Sequence, residues 1–157
     1  MRAGNAETEA AGWLVCRVAG CLCALPVESV SEVMRPRPVE PISGVPQFLL
    51  GLSIIRGSPV PVVDAALLLS GNPARAGHLV TMAVGGRTIG LAVEHVVDVW
   101  PIDPAALDPL PPLLQNIACD VIAAIRALDG ELLLLLDAAR IIPDTLYAEL
   151  SAAGAPA

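Results

Sequence analysis

Residues 13–36 read WLVCRVAGCLCALPVESVSEVMRP, and residues 79–101 read LVTMAVGGRTIGLAVEHVVDVWP. With Val27 set on Val93, the two stretches run in step without a gap through Val33 and Val99. Gly20 falls on Gly86, Leu25 on Leu91, Glu28 on Glu94, Val30 on Val96 and Glu32 on Asp98. Chance likeness between apolar strands does not keep glycine, acid and valine in register over such a length, so the pattern is that of an internal duplication. The likeness returns further on. Residues 55–66, IRGSPVPVVDAA, match residues 128–139, LDGELLLLLDAA, with Gly57 on Gly130 and Asp64 on Asp137. The units run from about 13–70 and 78–142, joined by the turn-forming segment SGNPARAG.

Each unit reads as short strands. Residues 13–18 and 21–25 flank Ala19-Gly20, and residues 79–84 and 87–93 flank Gly85-Gly86; both are hairpin signals. The segment Val27–Met34 has no cleanly apolar face, which suits a helical turn that then extends. Residues 59–63 and 132–136 are apolar runs of strand length, suited to a sheet interior. Pro59 and Pro61 donate no ladder bond, which predicts an edge or bulged strand there. Asp64 and Asp137 each end a strand before a helix-compatible run, the position of an N-cap. Five-stranded antiparallel units with little helix tend to close on themselves and so remove exposed edges. The expected fold is therefore mainly β, two small five-stranded barrels with short helices. Residues 1–12 read as a flexible N-terminal tail, 13–142 as one two-lobed domain and 143–157 as a C-terminal tail.

The chain has 157 residues, of which 55% are hydrophobic and 16% charged, with 9 Lys+Arg against 16 Asp+Glu and a net charge of −7. The basic residues are scattered, which argues against a nucleic-acid surface. A spanning helix needs about 20 predominantly apolar residues, and the sequence suggests none. The first twelve residues carry no apolar core of a secretory signal, so the expected compartment is cytoplasmic, with no direct membrane insertion. A domain this small with so few charges must expose apolar side chains, and contiguous exposed apolar surface marks a protein interface.

Catalytic signatures are missing from the sequence. It holds no phosphate loop, no His-Glu-x-x-His and no Gly-x-Gly-x-x-Gly. Gly51-Leu52-Ser53 begins like a nucleophile elbow, but residue 55 is Ile where a glycine belongs. The two histidines, His78 and His95, lack a second ligand at metal spacing. Cys16 and Cys23 match Met82 and Ile89 across the repeat, which makes them small core residues; Cys21 and Cys119 have no paired metal spacing either. No catalytic residue, metal or cofactor is expected. Trp13 and Trp100 read as core or as aromatic anchors at an interface. The repeat breaks at Arg56, which stands where the second unit has Asp129; a turn arginine beside apolar strands is a plausible interface anchor.

The stretches CALPVESVSEVMRP, PQFLLGLSIIRGSPVPVVDAALLL, VGGRTIGLAVEHVVDVWP and LDGELLLLLDAARII together resemble the CheW domain of bacterial chemotaxis. The resemblance runs from about Trp13 to Ile142 and is most specific at Arg56, Gly57, Pro61, Val62, Val63 and Asp64. It implies two SH3-like five-stranded barrels without enzymatic activity. It implies a non-catalytic adaptor that binds the regulatory domain of a CheA-type histidine kinase and the cytoplasmic tip of a chemoreceptor, at receptor arrays on the inner membrane face. It further implies partner contact through Arg56, Val27, Val30 and Glu32, with Gly57, Asp64, Gly130 and Asp137 structural. The chain departs from the family at Ile54-Ile55, where Asn-Leu is frequent, at Cys16 and Cys23, where aromatics are frequent, and in the proline-rich segment 103–119. The rival reading is a stand-alone small-ligand-binding β-module, which a closed dry pocket between the lobes would favour over an open apolar groove.

Overall fold

The computed structural model describes residues 11–109, 121–128 and 130–154. Cys119, Asp129 and most of the proline-rich segment lie outside the described residues. The first unit contributes β1 (Ala11–Val18), β2 (Cys21–Pro26), a 3-10 turn (Val27–Ser29), β3 (Val30–Met34), β4 (Leu49–Ile55), β5 (Ser58–Asp64) and α1 (Ala65–Ser70). The second contributes β6 (His78–Val84), β7 (Arg87–Val93), β8 (His95–Ile102), β9 (Ile122–Leu128), β10 (Glu131–Leu136) and a 3-10 turn (Ala138–Arg140). The helical turn anticipated at the head of Val27–Met34 is present as the first 3-10 turn.

Local chemistry explains the turns. Ala19 and Gly20 both adopt left-handed backbone, φ 52° and 80°, and so do Arg56 and Gly57 at 53° and 80°. Two successive positive φ angles make the tight turn whose twist matches that of antiparallel strands. Asp64 closes β5 and starts α1, its carboxylate accepting from the N–H groups of Ala66 at 2.9 Å and Leu67 at 3.2 Å. Asp137 holds the matching position, accepting from Ala139 N–H at 3.1 Å. Each aspartate satisfies backbone donors that the first helical turn leaves free.

The strands form two five-stranded sheets, in the orders β8-β1-β2-β10-β9 and β3-β6-β7-β5-β4. The sheets therefore do not follow the two sequence units. Lobe one as read from 13–70 and lobe two as read from 78–142 exchange strands: β1 and β2 join the sheet of β8–β10, while β6 and β7 join the sheet of β3–β5. The joins are parallel ladders, Leu22–Ala24 on Leu133–Leu135 and Val62–Asp64 on Gly90–Ala92. The chain changes sheet at the turn after the first hairpin. The 3-10 turn at Val27–Ser29 carries the chain from β2 into β3, which pairs with β6 in the other sheet.

The strands nearest the middle are apolar on both faces because both faces are covered. In β10, Leu134 and Leu136 enter a core shared between the sheets, with Leu14, Cys16, Cys23, Met82 and Leu91. Leu133 and Leu135 enter a second cluster on the other face, with Val15, Leu22, Ala24 and Ile102. A third cluster, including Ile55, Val60, Val62 and Leu79, lies on the far face of the second sheet. Each such side chain contributes roughly 1.5–3 kcal/mol on burial. Trp13 and Trp100 face one another in register across β1 and β8 and pack on the second cluster.

One expectation holds in part and another is corrected. The prolines of β5 sit on a local edge of a strand that, from Val62 on, lies between β7 and β4. Pro59 and Pro61 oppose Ile54 and Leu52. Given the two-residue turn at Arg56-Gly57, these are the non-hydrogen-bonded pairs of the antiparallel ladder, and the parallel ladder to β7 begins only at Val62, so a missing N–H costs nothing. The segment read as a C-terminal tail carries α2 (Asp144–Gly154), whose Leu150 is buried. Leu146, Tyr147 and Leu150 fall at the spacing of one helix face, which a polar and small-residue background hides in the sequence.

Candidate functional site

Two of the four sequence-predicted partner residues, Arg56 and Glu32, meet at the β4–β5 turn. Arg56 is the first residue of that turn, and its guanidinium reaches back to β3. Its Nε donates to one carboxylate oxygen of Glu32 at 2.8 Å and its Nη2 to the other at 2.6 Å. The pairing is bidentate, the geometry that a planar guanidinium and a planar carboxylate share. A register shift between Val30 and Glu32 accompanies it, placing Thr81 opposite Glu32, whose carbonyl accepts from the Thr81 hydroxyl at 3.4 Å. The hydrogen bond from Arg56, helped by its charge, holds the Glu32 carboxyl below the ordinary carboxylate range. The same bond raises the Arg56 guanidinium above its already high value. Arg56 nevertheless remains 76% exposed on its side chain, against 33% for Glu32.

The pair lies on an open cleft of about 370 Å³, lined by Ile55, Val60, Thr81 and Tyr147 as well as by the two charged residues. The second unit does not reproduce it. Asp98, which matches Glu32, turns its carboxylate onto the N–H of its own neighbour Val99 at 2.7 Å, and Asp129, which matches Arg56, lies outside the described residues.

Val27 and Val30 are not part of this pair. Val30 is half-buried and packs against the shared core. Val27 is 40% exposed and Val99 is 49% exposed. A β-carbon built on Gly12 would lie 3.7 Å from a methyl of Val27 and 3.6 Å from a methyl of Val99, so the two valines flank the bare backbone of β1 as an apolar patch. Sequence reasoning missed Val99, which reads as one more alternating strand residue, and missed Tyr147 in the segment taken as a tail. It also missed Ile54, 59% exposed on edge strand β4 beside a cleft of about 500 Å³ that includes Arg37, Pro38 and Val39. A further cleft of about 530 Å³ is lined by Trp100, Leu22, Arg17, Arg126 and Glu131, with Arg17 bonded to Glu131 at 3.2 Å.

The remaining candidate residues have structural settings. Gly57 and Gly130 take φ of 80° and 82°. Gly51 has φ 142°, and a β-carbon there would meet the carbonyl oxygen of Glu40 at 1.9 Å, so it is the residue that lets the chain at Glu40 pair closely beside β4 at Leu52. Ser53 beside it is buried and donates to the carbonyl of Pro38 at 2.8 Å, a packing role rather than that of a nucleophile. Cys16 and Cys23 face each other across β1 and β2, both buried. Burial pushes the Cys16 thiol up to about 12 and the Cys23 thiol higher still, so neither supplies a thiolate near neutral pH. Among the described residues no group of three or more His, Cys, Asp or Glu side chains is placed to hold a metal. His95 is exposed, and the Nδ1 of His78 is buried without a hydrogen-bond partner among the described residues. No described helix is long and apolar enough to cross a membrane.

Comparison with known proteins gives one consistent result. A family model described as the CheW-like domain matches residues 12–146. A probable chemotaxis protein CheW of Rhizobium etli is 25% identical over 122 residues, covering 76% of this chain and 79% of its own length. The protein FrzA of Myxococcus xanthus is 29% identical over 117 residues, covering 73% and 72%. Among solved structures, the scaffolding protein TtCheW of Thermoanaerobacter tengcongensis superposes with a TM-score of 0.72 at 24% identity, over 82% of this chain and 89% of that one, a likeness of fold.

Proposed function

The chain belongs to the CheW-like domain family, and on that premise we propose that it is the adaptor coupling a chemoreceptor to a CheA-type histidine kinase in bacterial chemosensory signalling. The observation that carries the reading is the Arg56–Glu32 pair, a polar contact presented on the surface at the family's most specific motif. The adaptor works without catalysis, by holding two partners at once. Arg56 and Glu32 contact the regulatory domain of the kinase, a module of like fold. Val27, with Val99 beside it, offers the apolar surface on which the helical tip of the receptor docks, in the manner of a helix in a groove. Val30 supports the element from beneath. Receptor state then reaches the kinase as a shift between packed arrangements, which requires both contacts together. The working place is the cytoplasmic face of the membrane, at receptor arrays.

The rival reading, a small-ligand-binding module, is not favoured. The clefts at Arg56, Ile54 and Trp100 lie open on the surface, the form that suits docking rather than enclosure of a small molecule. The test is retention of a CheA-type kinase from the same cell on the purified protein, with Arg56→Glu alongside. Retention by the natural chain and loss in the variant are expected. No retention by the natural chain at micromolar concentration would overturn the adaptor reading.

A further inference from the structure

The family match ends at residue 146, yet α2 continues to Gly154. This last helix is not idle. Leu150 is buried at 2% exposure, and Leu146 and Tyr147 pack against the core shared by the two sheets. At its first turn the helix is held from one side by Arg87, the residue after the β6–β7 turn. The Arg87 guanidinium pairs with the Asp144 carboxylate at 2.9 Å and lies over the Tyr147 ring, 4.7 Å from its centroid. A cation on an aromatic face is attracted by the ring's electron density, and here it fixes where the ring stands. The ring also lines the Glu32–Arg56 cleft.

We infer that Tyr147, positioned by Arg87, is a specificity element of the coupling surface: it contacts the same partner segment that Arg56 engages. The inference rests on the adaptor reading and narrows it. Ile55 and Val60 form a buried apolar floor to the cleft, Tyr147 forms an aromatic wall, and Arg56 stands exposed at the rim. Charge and shape select a partner segment with an apolar side chain next to a carboxylate. The apolar group enters beside Tyr147, and the carboxylate takes Arg56 in competition with Glu32. Tyrosine and arginine are the residue types that most often dominate such contacts.

The experiment is calorimetric titration of the regulatory domain of a CheA-type kinase into the full-length protein, with Tyr147→Ala, Tyr147→Phe, Arg56→Ala and the double variant Arg56→Ala/Tyr147→Ala. Melting temperatures are recorded for each. Tyr147→Ala is expected to weaken binding about tenfold, the scale of a buried aromatic contact. Tyr147→Phe stays within about twofold, because the ring and not the hydroxyl makes the contact. The double variant loses less than the product of the two single losses, since both residues serve one segment. A purely structural tyrosine would give losses that multiply, and that result, or unchanged binding by Tyr147→Ala, overturns the inference while leaving the adaptor reading intact. Failure of the natural chain to bind overturns the adaptor reading itself, and the inference with it. If Tyr147→Ala does not fold, Tyr147→Leu, which keeps the apolar packing on the shared core, takes its place with the same expected loss.

Discussion

Arg56 occupies left-handed backbone at φ 53° and from there grips both carboxylate oxygens of Glu32, 24 residues earlier in the chain. A side chain other than glycine is disfavoured in that backbone region. An exposed ion pair returns little stability, because water screens it and two side chains must be ordered to make it. The arginine is therefore poorly explained by stability and well explained by a surface role.

That imbalance predicts a separation of fold from function. Arg56→Gly is expected to leave the melting temperature unchanged or slightly higher, since glycine relieves the backbone, while kinase retention is lost. Differential scanning calorimetry and the retention assay, run on one preparation, check the two halves. A clear fall in melting temperature would show that the pair matters to the fold after all.

The pH response follows from the direction of the Glu32 shift. Its carboxyl is held below the ordinary value in the folded chain, so the ion pair is intact above the ordinary carboxylate range and is lost only as pH falls through the lowered value. Carbon-detected NMR of the Glu32 carboxyl should show a midpoint below that of an ordinary glutamate, and Arg56→Ala should bring it back towards the ordinary value. A Glu32 midpoint indifferent to Arg56→Ala would contradict the pairing.

Ala19 offers the complementary case, a left-handed residue with φ 52° whose side chain has no surface task visible in the fold. Ala19→Gly is expected to stabilise the protein by about 0.5–1 kcal/mol, as relief of an alanine β-carbon at positive φ outweighs the added freedom of the unfolded chain. Urea unfolding measures it as a higher midpoint with an unchanged slope.

Gly51→Ala should do the opposite. Its β-carbon would overlap the Glu40 carbonyl oxygen at 1.9 Å, a backbone group that cannot swing aside, and its φ of 142° is disfavoured as well. A loss of roughly 3 kcal/mol or more is expected, from overpacking and strained backbone together. The same urea experiment tests it, and a loss under about 1 kcal/mol would mean that the pairing at Glu40 gives way easily.

Much of this protein was legible along the chain because it depends on near neighbours. The hairpin at Ala19-Gly20, the turn at Arg56-Gly57 and the aspartate caps at Asp64 and Asp137 are all local chemistry, settled within a few residues. The duplication was visible for the same reason, since each copy repeats its own local rules. So was the singling out of Arg56, because it breaks the repeat. What the chain alone did not reveal is which strand lies beside which. β2, β5, β7 and β10 are apolar on both faces, so their sequences carry no mark of a preferred neighbour, and only the competition for burial seats β10 on β2 and β7 on β5. The exchange of strands between the two units follows from that competition. So does the meeting of Glu32 with Arg56, of Val27 with Val99, and of Tyr147 with the cleft. The hairpins, their turns and the aspartate caps are readable along the chain because they are set over a few bonds; α2 is not, because only its packing on the shared core marks it as a helix. The pairing of the sheets and the make-up of the site come from contacts between residues far apart in the chain, which no local pattern records.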